Sequence, residues 1–458
     1  MPARPPRPFP APRLIALAAS SALSGLALAA PLAAQGRTER VSVASGGGES
    51  AFGGTWAALS SDARFVVFLS HGDDLVPQDT NLERDFFVHD RLLRRTERVS
   101  VDDAGVEQDL GGFQFGRPEI SGDGRCVAFD SPATNLTALD THGVFQIYLR
   151  DRLAGTTRCV SLSSTGECAD ADAGDPRMSR DGRIVAFSSA ALNLEPGDPD
   201  GVFALDVFVH DRRTGLTEEV SWGAGRTPVL VSAVLDGLSD DGRFVTFHSV
   251  GSTFVAGDDN GVTDVFLHDR LAGTTELVSR GAWGRPGNAT SAGSAVSADG
   301  RFVAFTSEAD DLVPGDGNGV SDVFLRDRVA RTTVRVSVTA GGAEADGASS
   351  VFALSGDGRY VMLQSAAANL VAGDGNGERD LFRKDVLTGA VERLNVASDG
   401  TESTPGALTT GSHCTPDGRF ASFLSLDPGL VPGDGNDDFD GFVRELGAAG
   451  GRGGAARR

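Results

Sequence analysis

The chain has 458 residues, with 63 acidic against 41 basic side chains and a formal net charge of −22. A field of that sign repels phosphate backbones, so it weighs against nucleic acid and anionic membrane as partners and favours cations and basic ligands. Four cysteines with no Cys-x-x-Cys spacing argue against a structural zinc site.

Residues 1–34 read as an export signal. Arg4, Arg7 and Arg13 form a basic start, an apolar stretch runs from Leu14 to Ala30, and small residues follow with cleavage expected after Ala34. The expected location is therefore the periplasm or the cell exterior. No other stretch is long and apolar enough to span a bilayer.

From residue 38 the chain repeats itself. Asp-Gly-Arg before an apolar run occurs at Asp123-Gly124-Arg125, Asp181-Gly182-Arg183, Asp241-Gly242-Arg243, Asp299-Gly300-Arg301, Asp357-Gly358-Arg359 and Asp417-Gly418-Arg419, with a degenerate copy at Asp62-Ala63-Arg64. Successive copies lie 58 to 61 residues apart. Each unit is too small to bury its own apolar face, so the units must stack.

One unit shows the elements. Ser294–Ser297 reads as a short strand A, and Asp299-Gly300 as a tight turn. Phe302–Phe305, apolar on both faces, reads as a central strand B. After a long polar connector, Asp322–Arg326 reads as strand C and Thr333–Val338 as an outer, alternating strand D. Four antiparallel strands repeated radially predict an all-β fold, a seven-bladed β-propeller spanning 35–446. The first D-type strand, Thr38–Val43, precedes any A strand, and the last A–B–C set has no D strand after it. The N-terminal strand is therefore expected to complete the seventh blade and remove the open sheet edge. Residues 447–458, rich in Gly, Ala and Arg, read as a tail.

The Ser-x-Asp-Gly-Arg-(Phe/Val)-Val-Ala-Phe phrase resembles the TolB-type, WD40-like propeller repeat of bacterial envelope proteins over residues 38–445. The resemblance implies the fold. It names no activity, because that repeat serves scaffolds, peptidase accessory domains and lyases alike. The α/β domain of TolB itself has no counterpart in this sequence.

The B–C connectors carry a second motif, Leu-Val-Pro-Gly-Asp-x-Asn-Gly-x-x-Asp. Its polar set is Asp258, Asn260 and Asp264 in blade four; Asp316, Asn318 and Asp322 in blade five; Asp374, Asn376 and Asp380 in blade six; and Asp434, Asn436 and Asp440 in blade seven. Blade one has Asp79, Asn81 and Asp85; blade two has Asp140, His142 and Gln146; blade three has Asp198, Asp200 and Asp206. Alternating oxygen ligands around a glycine are what Ca²⁺ requires. The competing reading is metal-free: Asp and Asn bond their own turns, and the last Asp pairs with the Arg of Asp-Gly-Arg. Each strand C also ends in a basic residue and an acid, such as His210-Asp211 or Arg326-Asp327, read as a simple positive partner or a solvated edge. Cys159 and Cys168 could pair in an oxidising compartment or stay half-buried thiols.

Long connectors all emerge on one face, where binding is expected. Trp222, Arg226, Trp283 and Arg285 on the D–A connectors are candidate anchors there. No nucleophile-elbow or zinc-helix motif occurs. The expectation is an exported, monomeric, non-enzymatic scaffold for a protein, small-molecule or saccharide ligand. The alternatives are an enzyme (a lyase or a glycoside or peptide hydrolase) at the central funnel and a Ca²⁺-dependent adhesion module.

Overall fold

The computed structural model describes residues 36–111, 117–195, 204–227, 229–281 and 283–447. The expected signal at 1–34, the blade-three residues Asp198 and Asp200, and the tail beyond Gly447 lie outside the described residues.

Seven four-stranded antiparallel sheets follow one another along the chain. In blade five the strands are A (Ser291–Val296), B (Phe302–Ser307), C (Asp322–Asp327) and D (Thr332–Arg335). The seventh sheet is closed by the chain's own start: Thr38–Arg40 pairs antiparallel with Asp440–Glu445, Glu39 standing opposite Val443. No sheet edge needed for ring closure is left open.

Strand D is shorter than its alternation suggests. After Arg335 the backbone leaves the ladder and folds into a small hairpin of its own, bridged at Val338 and Glu344. Strand A is longer than expected and starts three residues earlier. It carries a register shift against strand B in six blades, for example between Ala292 and Ser294. Such bulges re-aim side chains at a rim or a site.

The core lies between blades rather than in one centre. Phenylalanines of strands B and C stack in pairs, as Phe305 on Phe324 and Phe423 on Phe442. The Asp-Gly-Arg turn explains itself locally. Asp299 accepts hydrogen bonds from Ser297 Oγ (2.8 Å) and Arg301 N (3.0 Å), and Gly300 takes φ +70°. A Cβ on Gly300 would lie 2.1 Å from a ring carbon of Phe244 in the previous blade. The glycine at this turn is thus favoured both by its conformation and by the neighbouring wedge. Arg301 reaches Asp327, the acid ending strand C, at 2.7 Å. That pairing recurs in all seven blades and corrects the expectation that this arginine takes the last Asp of the B–C motif.

The basic residues ending strand C are not a solvated edge. His89 and His210 are buried and share a hydrogen bond with Thr96 and Thr217 at 2.9 Å. Thr96 Oγ1 in turn donates to Val43 O of the preceding connector at 2.5 Å. Burial holds both imidazoles below their ordinary range, hence neutral. Lys384 and Arg444 make the same inter-blade clasp as cations, donating to backbone carbonyls.

Candidate functional site

In blade five the three B–C side chains converge, and a fourth group sits among them. Arg335 of strand D places Nη1 2.9 Å from Asp316, 3.4 Å from Asp322 and 2.7 Å from Glu344 of the next connector. Asn318 Nδ2 donates to Asp322 at 2.8 Å and to Ala345 O at 3.1 Å, and Ser337 Oγ donates to the other Asp322 oxygen. Blade one repeats this with Arg98, Asp79, Asp85 and Glu107, and blade six with Arg393, Asp374, Asp380 and Glu402. Blade seven does so with Arg40 from the N-terminal strand, Asp434, Asp440 and Glu49. Burial pushes Asp85, Asp374 and Asp434 up to about 6, with the arginine in each loop pulling the other way.

These carboxylates can hold a cation. The oxygens of Glu49, Asp434 and Asp440, and those of Asp374, Asp380 and Glu402, lie within 4.8 Å of one another. In both sets a guanidinium already stands in the middle, so a metal ion enters only if the arginine leaves. Calcium also needs six to eight oxygens, more than each set supplies from side chains. Blade four differs: Leu277 takes the arginine's place opposite Phe266, and Pro286 takes the glutamate's place opposite Arg280. Asp264 keeps its bonds from Asn260 (2.6 Å) and Ser279 (2.5 Å), and Asp258 is pushed up to about 6 by burial and the charge of Asp264. The sequence did carry the missed signal. Arginine and glutamate recur nine residues apart as Arg40/Glu49, Arg98/Glu107, Arg335/Glu344 and Arg393/Glu402.

The two candidate tryptophans differ in burial. Trp222 is half-buried, with the Arg226 guanidinium 4.9 Å above its ring and Arg226 paired to Glu195 at 3.1 Å. Trp283 is 76% exposed on the next connector, beside an exposed Arg285.

The central funnel, expected from the sequence as the seat of an enzymatic alternative, is lined by residues that sequence reasoning did not single out. The seven A strands surround an axial cavity of about 390 Å³. At the Asp-Gly-Arg end, backbone bonds run from blade to blade around the mouth: Ser61 to Gly122, Gly122 to Arg180, Arg180 to Asp240, Ala298 to Gly356 and Gly356 to Pro416, at 2.8–3.0 Å. The A strands of blades one, five and six bring small or apolar residues to the axis. Blades two, three, four and seven bring Arg117, Glu119, Asp175, Arg177, Asp236 and His413.

These groups perturb one another. Burial pushes Glu119 up to about 7, with Arg177 and Arg117 pulling it back. Burial and the two arginine charges push His413 down to about 4, so it is neutral at pH 7 and accepts from Leu59 N at 3.3 Å. Arg117, pushed down to about 10, lies 4.8 Å over the ring of Trp56. Arg177 donates through Nε to Asp236 O at 2.9 Å, and Asp236 holds His248 and Ser294, each at 2.9 Å. Neither Arg117 nor Arg177 has a carboxylate partner within ion-pair distance among the described residues. Trp56 and Asp175 sit at the bulges with φ of 54° and 53°, a left-handed conformation that costs a bulky residue energy and clusters at functional sites.

No protein-family model matches the chain, and no curated protein does either. Among solved structures it is similar to an oligogalacturonate lyase in complex with manganese, at 12% identity over 85% of this chain and 88% of that one, with a TM-score of 0.47. It is likewise similar to the oligogalacturonate lyase of Vibrio parahaemolyticus, at 12% identity over 90% and 97% of the chains and a TM-score of 0.49. A putative TolB from Agrobacterium tumefaciens matches at 14% identity over 87% and 91%, with a TM-score of 0.35. These likenesses concern the fold, which is the propeller that the TolB-type repeat implied.

Proposed function

We propose that the chain is a ligand-binding propeller whose axial cavity takes a small molecule bearing a carboxylate or phosphoryl group. One observation carries the reading: Arg117 and Arg177, both free of carboxylate partners among the described residues, share a cavity with Glu119, which burial holds near neutrality. Stacking on Trp56 fixes the plane of the Arg117 guanidinium, and a planar fork matches an oxyanion in bidentate fashion. The negative charge of the whole molecule does not oppose this, because a low-dielectric pocket answers to its nearest charges. We read the chain as exported, as the basic and apolar start of the sequence suggests.

A titration of the full chain with citrate, phosphate and chloride, followed by calorimetry, tests the reading. Citrate or phosphate is expected to bind, and Arg177→Gln to weaken binding at least about tenfold, the loss typical of one charge-assisted contact. Binding should tighten as pH falls through about 7, where Glu119 takes up a proton and stops repelling the anion. Absence of binding, or equal binding by the variant, overturns it. An enzymatic reading draws on the same residue, since a carboxyl near 7 is suited to proton transfer at neutral pH. It requires that Glu119→Gln keep the ligand and lose turnover.

A further inference from the structure

Blade two changes the loop arrangement at three places together. Where other blades have the last Asp it has Gln146; where blades one, five, six and seven have arginine, Cys159 stands opposite Tyr148; where those four have glutamate, Cys168 stands opposite Leu162. The nine-residue spacing from arginine to glutamate is kept as Cys159 to Cys168. All three replacements are neutral, so no charge is stranded. Gln146 Oε1 accepts from Ser161 Oγ at 2.5 Å and faces Cys159 Sγ at 3.7 Å. The two sulfurs lie 3.4 Å apart, both side chains buried.

We infer that Cys159 and Cys168 form a reversible disulfide, a covalent strap in the seat that an arginine–glutamate pair fills in blades one, five, six and seven. Strand D of blade two (Thr156–Cys159) would thereby be tied to the connector leading to blade three. Both sulfurs sit on short segments of one hairpin, joined by the bond from Ala169 N to Ser161 O at 2.9 Å, so closing the gap moves little backbone. The other two cysteines are placed differently. Cys126 faces Arg212 at 3.6 Å, and Cys414 sits in the A strand of blade seven, Thr409–Cys414.

The chemistry is thiol–disulfide exchange with a small disulfide or an oxidised protein dithiol. A hydrogen bond from the neighbouring thiol favours the Cys168 thiolate, which makes it the attacking sulfur. Cys168 forms a bond to one oxidant sulfur; the oxidant's S–S bond breaks, and the departing thiolate takes a proton. Cys159, losing its proton, then attacks Cys168 Sγ and expels the second oxidant thiolate. Two protein thiols are oxidised and one disulfide is reduced.

The full chain is refolded from urea through a mixture of reduced and oxidised glutathione, then unfolded and labelled with a maleimide. Two of the four cysteines are expected to take label, with the linked peptides containing Cys159 and Cys168. The unfolding midpoint should be higher without reductant than with it. The Cys159→Ser/Cys168→Ser variant should take two labels in either buffer and show no reductant effect on its midpoint. Four labels on the wild-type chain, a linkage to Cys126 or Cys414, or equal wild-type midpoints would overturn the inference.

Discussion

Replacing Arg335 with leucine gives blade five what blade four has at Leu277. The Arg335 side chain is 9% exposed, and it faces Asp316 and Asp322 at 4% and 1%. Removing one member of a buried charged set costs about 3–5 kcal/mol, because the others stay behind unpaired. Leucine returns part of this by filling the apolar stem's space, leaving about 3 kcal/mol. With an unfolding entropy of ~2.1 cal/mol/K per residue over roughly 410 residues, 1 kcal/mol is a little over 1 °C. The midpoint at pH 7 should therefore fall by about 3–4 °C. The deficit should shrink as pH drops. Asp316 already titrates above its ordinary range through burial, with Arg335 pulling it down. Without the guanidinium it rises further, and a carboxyl raised in the folded state stabilises that state once protonated. A divalent cation should occupy the vacated centre: at 10 mM Ca²⁺ and a Kd of about 1 mM, it restores about 1.4 kcal/mol to the variant. The wild-type chain should gain less, because its arginine fills the seat. Scanning calorimetry at pH 7 and 5, with Ca²⁺ or chelator, measures all three effects. Midpoints within 1 °C of each other at pH 7, or an equal calcium shift in both proteins, would refute the argument that arginine is the resident cation.

Gly300→Ala should cost about 3 kcal/mol, combining the left-handed backbone with overpacking against Phe244. Ala63 occupies the same turn in blade one with φ 55° and full burial, so Ala63→Gly should change stability by less than about 1 kcal/mol. Denaturant melts giving similar losses for the two would remove the inter-blade explanation of the repeated glycine. His413 bears on acid stability. Its folded-state pKa of about 4 lies below the ordinary 6.5, so its contribution is complete above pH 6.5 and is lost as pH falls towards 4. Glu119, near 7, acts with the opposite sign, which makes the difference between wild type and His413→Gln the useful measurement. That difference should favour the variant progressively from pH 6.5 to 4. A constant offset across the range would show that the imidazole does not titrate with unfolding.

The period of Asp-Gly-Arg and the placing of strands B and C were legible because both rest on local chemistry: a turn that needs positive φ and a strand apolar on both faces. Closure by Thr38–Arg40 was legible too, as a count of D strands against A strands. The B–C acids were found, but their partner was not. Arg335 is separated from Asp322 by a whole strand, and only the register of strand C on strand D shows that the guanidinium enters the acidic loop. Trp222 and Trp283 looked equivalent as letters, and burial separated them.

Sequence by itself determined the number of blades, their strand order and the clasp, since each follows from spacing and from backbone needs shared by every repeat. Only the tertiary structure decided what the axis carries. Arg117, Glu119, Arg177 and His413 lie on three different blades, far apart in the chain, and read singly as polar breaks in weak strands. The ring brings them to one cavity, where burial and mutual charge give them properties that none has alone.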